Sequence, residues 1–152
     1  MDGFAALVPI SDTYATLPVA EAFDWRPAAT ELPIGREWYM VAFRSTRRAD
    51  ADEARLCDFD ERAHQEAASS PGFVHYFKGP TSGDGSCMSF CLWASRADAR
   101  AASGRPAHLE AVTLIREMYE RYTLEFHRVR HRDDATGLEF EPYDRVPATA
   151  TS

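Results

Sequence analysis

FVHYFKGPTSGDGSCMSFCLW, residues 73–93, is the stretch on which the fold turns. Its first five residues are aromatic and β-branched with one imidazole, followed by Lys78, and its last seven are apolar except for Ser89. The segment between them, GPTSGDGS, is turn-forming throughout. Two strands joined by a long loop follow, over 73–78 and 87–93. Upstream, residues 38–45 (WYMVAFRS) have the composition of a strand buried on both faces. Between these strands Leu56, Phe59, Ala63 and Ala67 recur at helical spacing, with acids early, which predicts a helix over 50–68. Pro71-Gly72 stops it. Downstream, Ser95 offers an N-cap with Asp98 three residues on, for a short helix through Ala102. After a break at 103–106 (SGRP), a longer helix over 107–122 carries Val112, Ile115, Tyr119 and Tyr122 on one face. Residues 123–130 (TLEFHRVR) read as a fourth strand and 138–143 as a short additional one. The order β-α-β-β-α-β is that of a ferredoxin-like α+β sandwich.

The flanks differ from this domain, placed at 37–131. Residues 1–36 hold Pro9, Pro18, Pro27 and Pro33, so a long helix or central strand there is not expected. Phe23 and Trp25 within this arm are costly to leave in water, which lays part of it along the domain or a partner subunit. Residues 132–152 form a C-terminal tail, its last part (147–152) small, polar and expected to be disordered. The 152 residues fit one domain with a single core. Seventeen basic against 24 acidic residues, a formal charge of −7, argue against a nucleic-acid binder. No apolar run has the length of a membrane span, and no basic residue precedes the apolar patch at 5–10 as a secretory leader requires. Three cysteines make no disulfide framework, and the protein reads as reduced and cytoplasmic.

Strand alternation sorts the side chains into two faces. Tyr39, Val41 and Phe43, with Met88, Phe90 and Leu92, form a uniformly apolar set facing the helices, joined by Leu124 and Phe126. The other set holds Trp38, Met40, Ala42 and Arg44; Phe73, His75 and Phe77; Cys87, Ser89, Cys91 and Trp93; and Glu125, His127 and Val129. That mixed face needs a cover. It suits a small-molecule pocket with Trp38, Phe77 and Trp93 as walls and Ser89 and Arg44 orienting substrate oxygens. It suits equally a homodimer in which two sheets face each other. Arg44 could also pair with Glu125.

The element order, the strand ending in Cys91-Leu92-Trp93, the Ser95 helix start and the downstream Pro106-Ala107-His108 resemble the dimeric α+β barrel superfamily over residues 37–131. That superfamily includes antibiotic-biosynthesis monooxygenases, haem-degrading monooxygenases, polyketide cyclases, chlorite-dismutase-like haem proteins and stress-response barrels. The stretch 56–64 (LCDFDERAH) with 93–96 (WASR) also resembles small fungal-type proteins. The resemblance implies a cofactor-independent, monooxygenase-like enzyme of secondary metabolism acting on an aromatic or polycyclic metabolite. Haem, with a pocket histidine as axial ligand, is its alternative cofactor, and a non-catalytic stress-response module its alternative function. The haem-degrading pattern is incomplete: the chain has no Asn, and Trp93 precedes His108 by fifteen residues where those enzymes have ten.

For catalysis the candidates are His127 and His75 on the mixed face, as base or haem ligand, and His108 after Pro106 at a helix start. His64 and His131 read as solvated and Cys57 as core. Cys87 and Cys91, four residues apart, lack the spacing of a metal site, and none is assigned.

Overall fold

The computed structural model describes residues 7–133 and 137–143, without the side chains of His108, Ala111 and Val112. The segment expected to be disordered, 147–152, lies outside the described residues. A 3₁₀ turn (Tyr14–Thr16) and two one-turn helices, α1 (Val19–Ala22) and α2 (Arg26–Ala29), precede β1 (Arg36–Arg47) and α3 (Glu53–Ala68). Then come β2 (Phe73–Phe77), β3 (Ser86–Trp93), α4 (Arg96–Ser103), α5 (Pro106–Met118), β4 (Tyr119–Asp133) and β5 (Gly137–Pro142). The strands form one antiparallel sheet in the order β2-β3-β1-β4-β5. This is the ferredoxin-like α+β arrangement, with β5 added beside β4.

Local chemistry sets the helix starts. The Asp52 carboxylate accepts from the Arg55 amide at 3.1 Å and opens α3, and the Ser95 hydroxyl accepts from the Asp98 amide at 3.2 Å and opens α4. Pro106 occupies the first turn of α5, where its missing N–H costs nothing. That helix stops at Met118, short of the 122 its periodicity predicts. Tyr119 and Tyr122 are strand residues, Tyr122 lying opposite Ser45 of β1. Pairing along a long neighbouring strand overrides a spacing that also fits a helix. Cys57 is exposed, because the buried stripe of α3 runs through Leu56 next to it.

Register decides the faces. Across the β1–β4 pair, Met40 meets His127 and Val41 meets Phe126, as alternation predicts. Across β1–β3, however, Met40 meets Leu92 and Val41 meets Cys91. Met88, Phe90 and Leu92 therefore share the face of Trp38 and Met40, while Cys87, Ser89, Cys91 and Trp93 lie under the helices with Tyr39 and Val41. The expected assignment of β3 was one residue out of phase, which reverses its whole set. In β2 a register shift between Phe73 and His75 puts Phe73 with Trp93, and His75 and Phe77 with Leu92 and Phe90.

The face holding Trp38, Met40 and Ala42 is covered by the chain's own N-terminal arm. Leu7, Tyr14, Val19, Phe23, Trp25 and Leu32 are all buried against it. Phe23 packs edge-on to Phe77 at 5.1 Å, and Trp25 sits 5.3 Å from Phe90 and 4.9 Å from Phe140. Trp25 satisfies its indole N–H on the Val19 carbonyl at 3.0 Å. Burying each such side chain contributes about 1.5–3 kcal/mol, so the arm is an integral third layer. The apolar face that made a second subunit the expected cover thus has a cover from within the chain.

The arm ends on His131, which is buried at 4% exposure and not the surface residue its charged neighbours suggest. Its Nδ1 donates to the Leu32 carbonyl at 2.6 Å. Its own carbonyl receives the Gly35 amide at 2.7 Å, at a turn where Gly35 adopts a φ of +87°.

Candidate functional site

Between the sheet and the three helices α3, α4 and α5 lies a cavity of about 1000 Å³. The sheet supplies an aromatic floor: Tyr39 and Phe43 of β1, Trp93 of β3, Phe126 and Tyr122 of β4, and Tyr76 from β2. The helices supply a roof in which the short side chains Ala63 and Ala67 of α3 and Ala99 of α4 lie among larger ones, Asp60, His64, Arg96, Arg100 and Ile115. Space stays open over the three alanines. That composition suits a flat aromatic ligand, with apolar walls and a few orienting polar groups.

One group of charged side chains gathers at the far end of β1, and Arg96 and Arg100 line the cavity elsewhere. Lys78 Nζ lies 2.7 Å from Asp60 Oδ2, and Arg47 reaches Glu53 at 3.1 Å. One turn beyond Asp60, His64 also lines the cavity, its ring 5.0 Å from that of Tyr76. Burial pushes the Tyr76 and Tyr122 hydroxyls well above the ordinary phenol range, and burial together with the Asp60 charge pushes Tyr119 up to about 12. These hydroxyls stay protonated near neutral pH. Burial likewise pushes the Cys91 thiol up to about 12, so it is no nucleophile near neutral pH.

Of the residues expected in the site, Ser89 and Trp93 line this cavity, and His127 borders it where β5 stops at Pro142. Trp38 is buried under the arm. Phe77 packs on Phe23, and the His75 ring lies 6.2 Å from that of Phe90 on the same side. Arg44 donates to the Ala15 carbonyl at 2.8 Å and is paired with Glu125. The side chain of His108 lies outside the described residues. The pocket expected on the mixed face is on the opposite side, because the arm fills the first and the short helix residues open the second. The alanines at 63, 67 and 99 are the signal in the sequence that points to it. Of the histidines expected as haem ligands, His75 faces the arm, away from the cavity, and His127 borders the cavity with its Nε2 on Glu125.

Arg44, Glu125 and His127 form a network of their own. His127 Nε2 lies 3.1 Å from Glu125 Oε1. This hydrogen bond, with the Arg44 guanidinium, holds the Glu125 carboxyl down to about 2. A depressed carboxyl contributes stability above its ordinary value of 4.5 and loses it as the pH falls toward 2. The urea midpoint of the native chain is therefore expected to drop across that window more steeply than that of Glu125→Gln. Parallel curves would show that the network adds no pH-dependent stability.

Among the described residues, no helix is long and apolar enough to cross a membrane. A family model described as PB2B2.08-like matches residues 2–142. The UPF0643 protein PB2B2.08 of Schizosaccharomyces pombe is 31% identical over a 131-position alignment that covers 74% of this chain and 58% of that protein. The chain thus spans less than two thirds of that relative's length. Among solved structures, a variant of SnoaB, a cofactor-independent oxygenase from Streptomyces nogalater, superposes with a TM-score of 0.50 at 19% identity, covering 60% of this chain and 91% of that one. Rv0793 from Mycobacterium tuberculosis gives 0.53 at 19% identity, covering 63% and 96%. A candidate antibiotic biosynthesis monooxygenase from Nitrosomonas europaea gives 0.54 at 14%, covering 62% and 92%. At these identities the likeness is one of fold.

Proposed function

The chain belongs to the PB2B2.08-like family, and we propose that it is a small-molecule enzyme that binds an aromatic or polycyclic metabolite in the cavity between sheet and helices and oxygenates it without a cofactor. The observation that carries this reading is the cavity itself: about 1000 Å³, floored by aromatic rings and fringed by protonated phenols and one Lys–Asp pair.

A phenolic polycycle with a benzylic methylene supplies its own electrons. Removal of a proton gives a delocalised carbanion that reacts with O₂. One oxygen atom replaces the two methylene hydrogens as a ketone, and the other leaves as water. The proposed base is His64, a solvent-exposed residue at the cavity's rim as its sequence suggested, and the proposed counter-charge is Lys78, which is ion-paired with Asp60. Tyr76 and Tyr122 donate to the substrate oxygens, with Trp93 and Ser89 as wall and orienting group. His127 borders this space but is engaged with Glu125, and its part is to hold that side of β4.

The test uses purified protein and 1,8-dihydroxyanthrone, with no flavin, haem or metal added, following O₂ uptake and quinone absorbance together. One O₂ consumed per quinone is expected, with the rate falling about 100-fold in His64→Ala, the usual scale for loss of a positioned base. Binding without uptake above the uncatalysed rate would leave a non-catalytic binding module.

A further inference from the structure

We propose that Tyr14, on the arm and across the sheet from the cavity, is a positioning residue for the cavity's mouth: its hydroxyl fixes the β2–β3 loop, residues 78–85, against the rim. β2 ends at Phe77, opposite Phe90, while β3 runs back to Ser86. Met88 is thereby left without a β2 neighbour. Tyr14 takes that place: the Met88 amide donates to Tyr14 Oη at 3.2 Å, and Tyr14 Oη donates to the Pro80 carbonyl at 2.7 Å. The tyrosine is buried at 1% exposure, so its bond from the Met88 amide is made away from competing water, and the Pro80 carbonyl meets it from the half-buried side.

Gly79 is what admits the hydroxyl. A Cβ there would lie 2.2 Å from Tyr14 Oη and 2.0 Å from the Met88 carbonyl oxygen. From Gly79 the contacts cross to the other face. Its amide donates to Ser89 Oγ at 3.2 Å, and its carbonyl accepts from Cys87 Sγ at 3.2 Å. Ser89 and Cys87 line the cavity, as do Lys78, Thr81 and Gly85 of the loop. A second tie runs from Ser82 Oγ to the Asp12 carbonyl at 2.7 Å. The arm thus reaches the cavity through the end of the hairpin, and a side chain outside the site sets the position of one wall of it.

The positioning role rests on the proposed cavity only for what the loop controls; the hydrogen bonds stand apart from it. The experiment compares the full-length chain with Tyr14→Phe, which keeps the ring packed on Phe23, and with Trp25→Phe, which loosens the arm without touching the loop. Amide hydrogen exchange over 79–88 is expected to rise at least about tenfold in Tyr14→Phe and not in Trp25→Phe, with β1 and β4 unchanged in both. The dissociation rate of 1,8-dihydroxyanthraquinone, a stable probe of the cavity, is expected to rise by a similar factor in Tyr14→Phe alone. Exchange within twofold of the native chain, or an equal rise in both variants, overturns the proposal. If the probe fails to bind the native chain, the cavity reading is what fails, and the exchange data still decide the role of Tyr14.

Discussion

Trp25→Ala is expected to lower the free energy of unfolding by about 3–5 kcal/mol, the range for removing a buried large aromatic. The indole is 8% exposed, packs between Phe90 and Phe140, and donates its N–H to the Val19 carbonyl. Its loss empties the middle of the arm and unbonds a carbonyl at once. Because the arm shields Trp38, Met40 and Phe90, the variant is also expected to associate at concentrations where the native chain does not. Urea titration reads the first effect and sedimentation velocity the second. A loss below about 1 kcal/mol would mean that the arm is only laid on the sheet and the domain stands without it.

Ala63→Trp is expected to weaken binding of 1,8-dihydroxyanthraquinone at least about 100-fold while changing stability by no more than about 1 kcal/mol. Ala63 lines the cavity from the roof, so an indole there enters space that no side chain occupies. The expected split, affinity lost and fold retained, separates a ligand cavity from a packing defect. Filling a defect would raise stability and leave affinity for the probe as it was. Retained affinity within threefold would place the ligand elsewhere.

The sequence carried the architecture well because its elements differ in kind. A glycine-rich loop between two apolar runs reads as a hairpin, and Ser95 with Asp98 marks a helix start that the hydrogen bonds confirm. The phase of β3 was not legible. In CMSFCLW nearly every residue is apolar, and both faces of the strand are covered, so alternation carries no sign. β2 adds its own ambiguity, since the shift between Phe73 and His75 sends residues two apart, which alternation would put on one face, to different sides. The side of the cavity followed from these. It depended on which face the arm covers, and the aromatics of the arm announced burial without announcing where. His131 shows the same limit: HRDD reads as surface until the turn at Leu32 and Gly35 is folded over it.

The partners of the arm impose an order of assembly during synthesis. Tyr14 waits for Met88, Trp25 for Phe140, and Leu32 for His131. The arm is translated before the sheet, yet no contact of Trp25 with Phe140 can form until almost the whole described chain has left the ribosome. Until then Phe23 and Trp25 are bare on a short proline-broken segment. The nascent sheet meanwhile has an uncovered apolar face, the kind of surface through which incomplete chains aggregate.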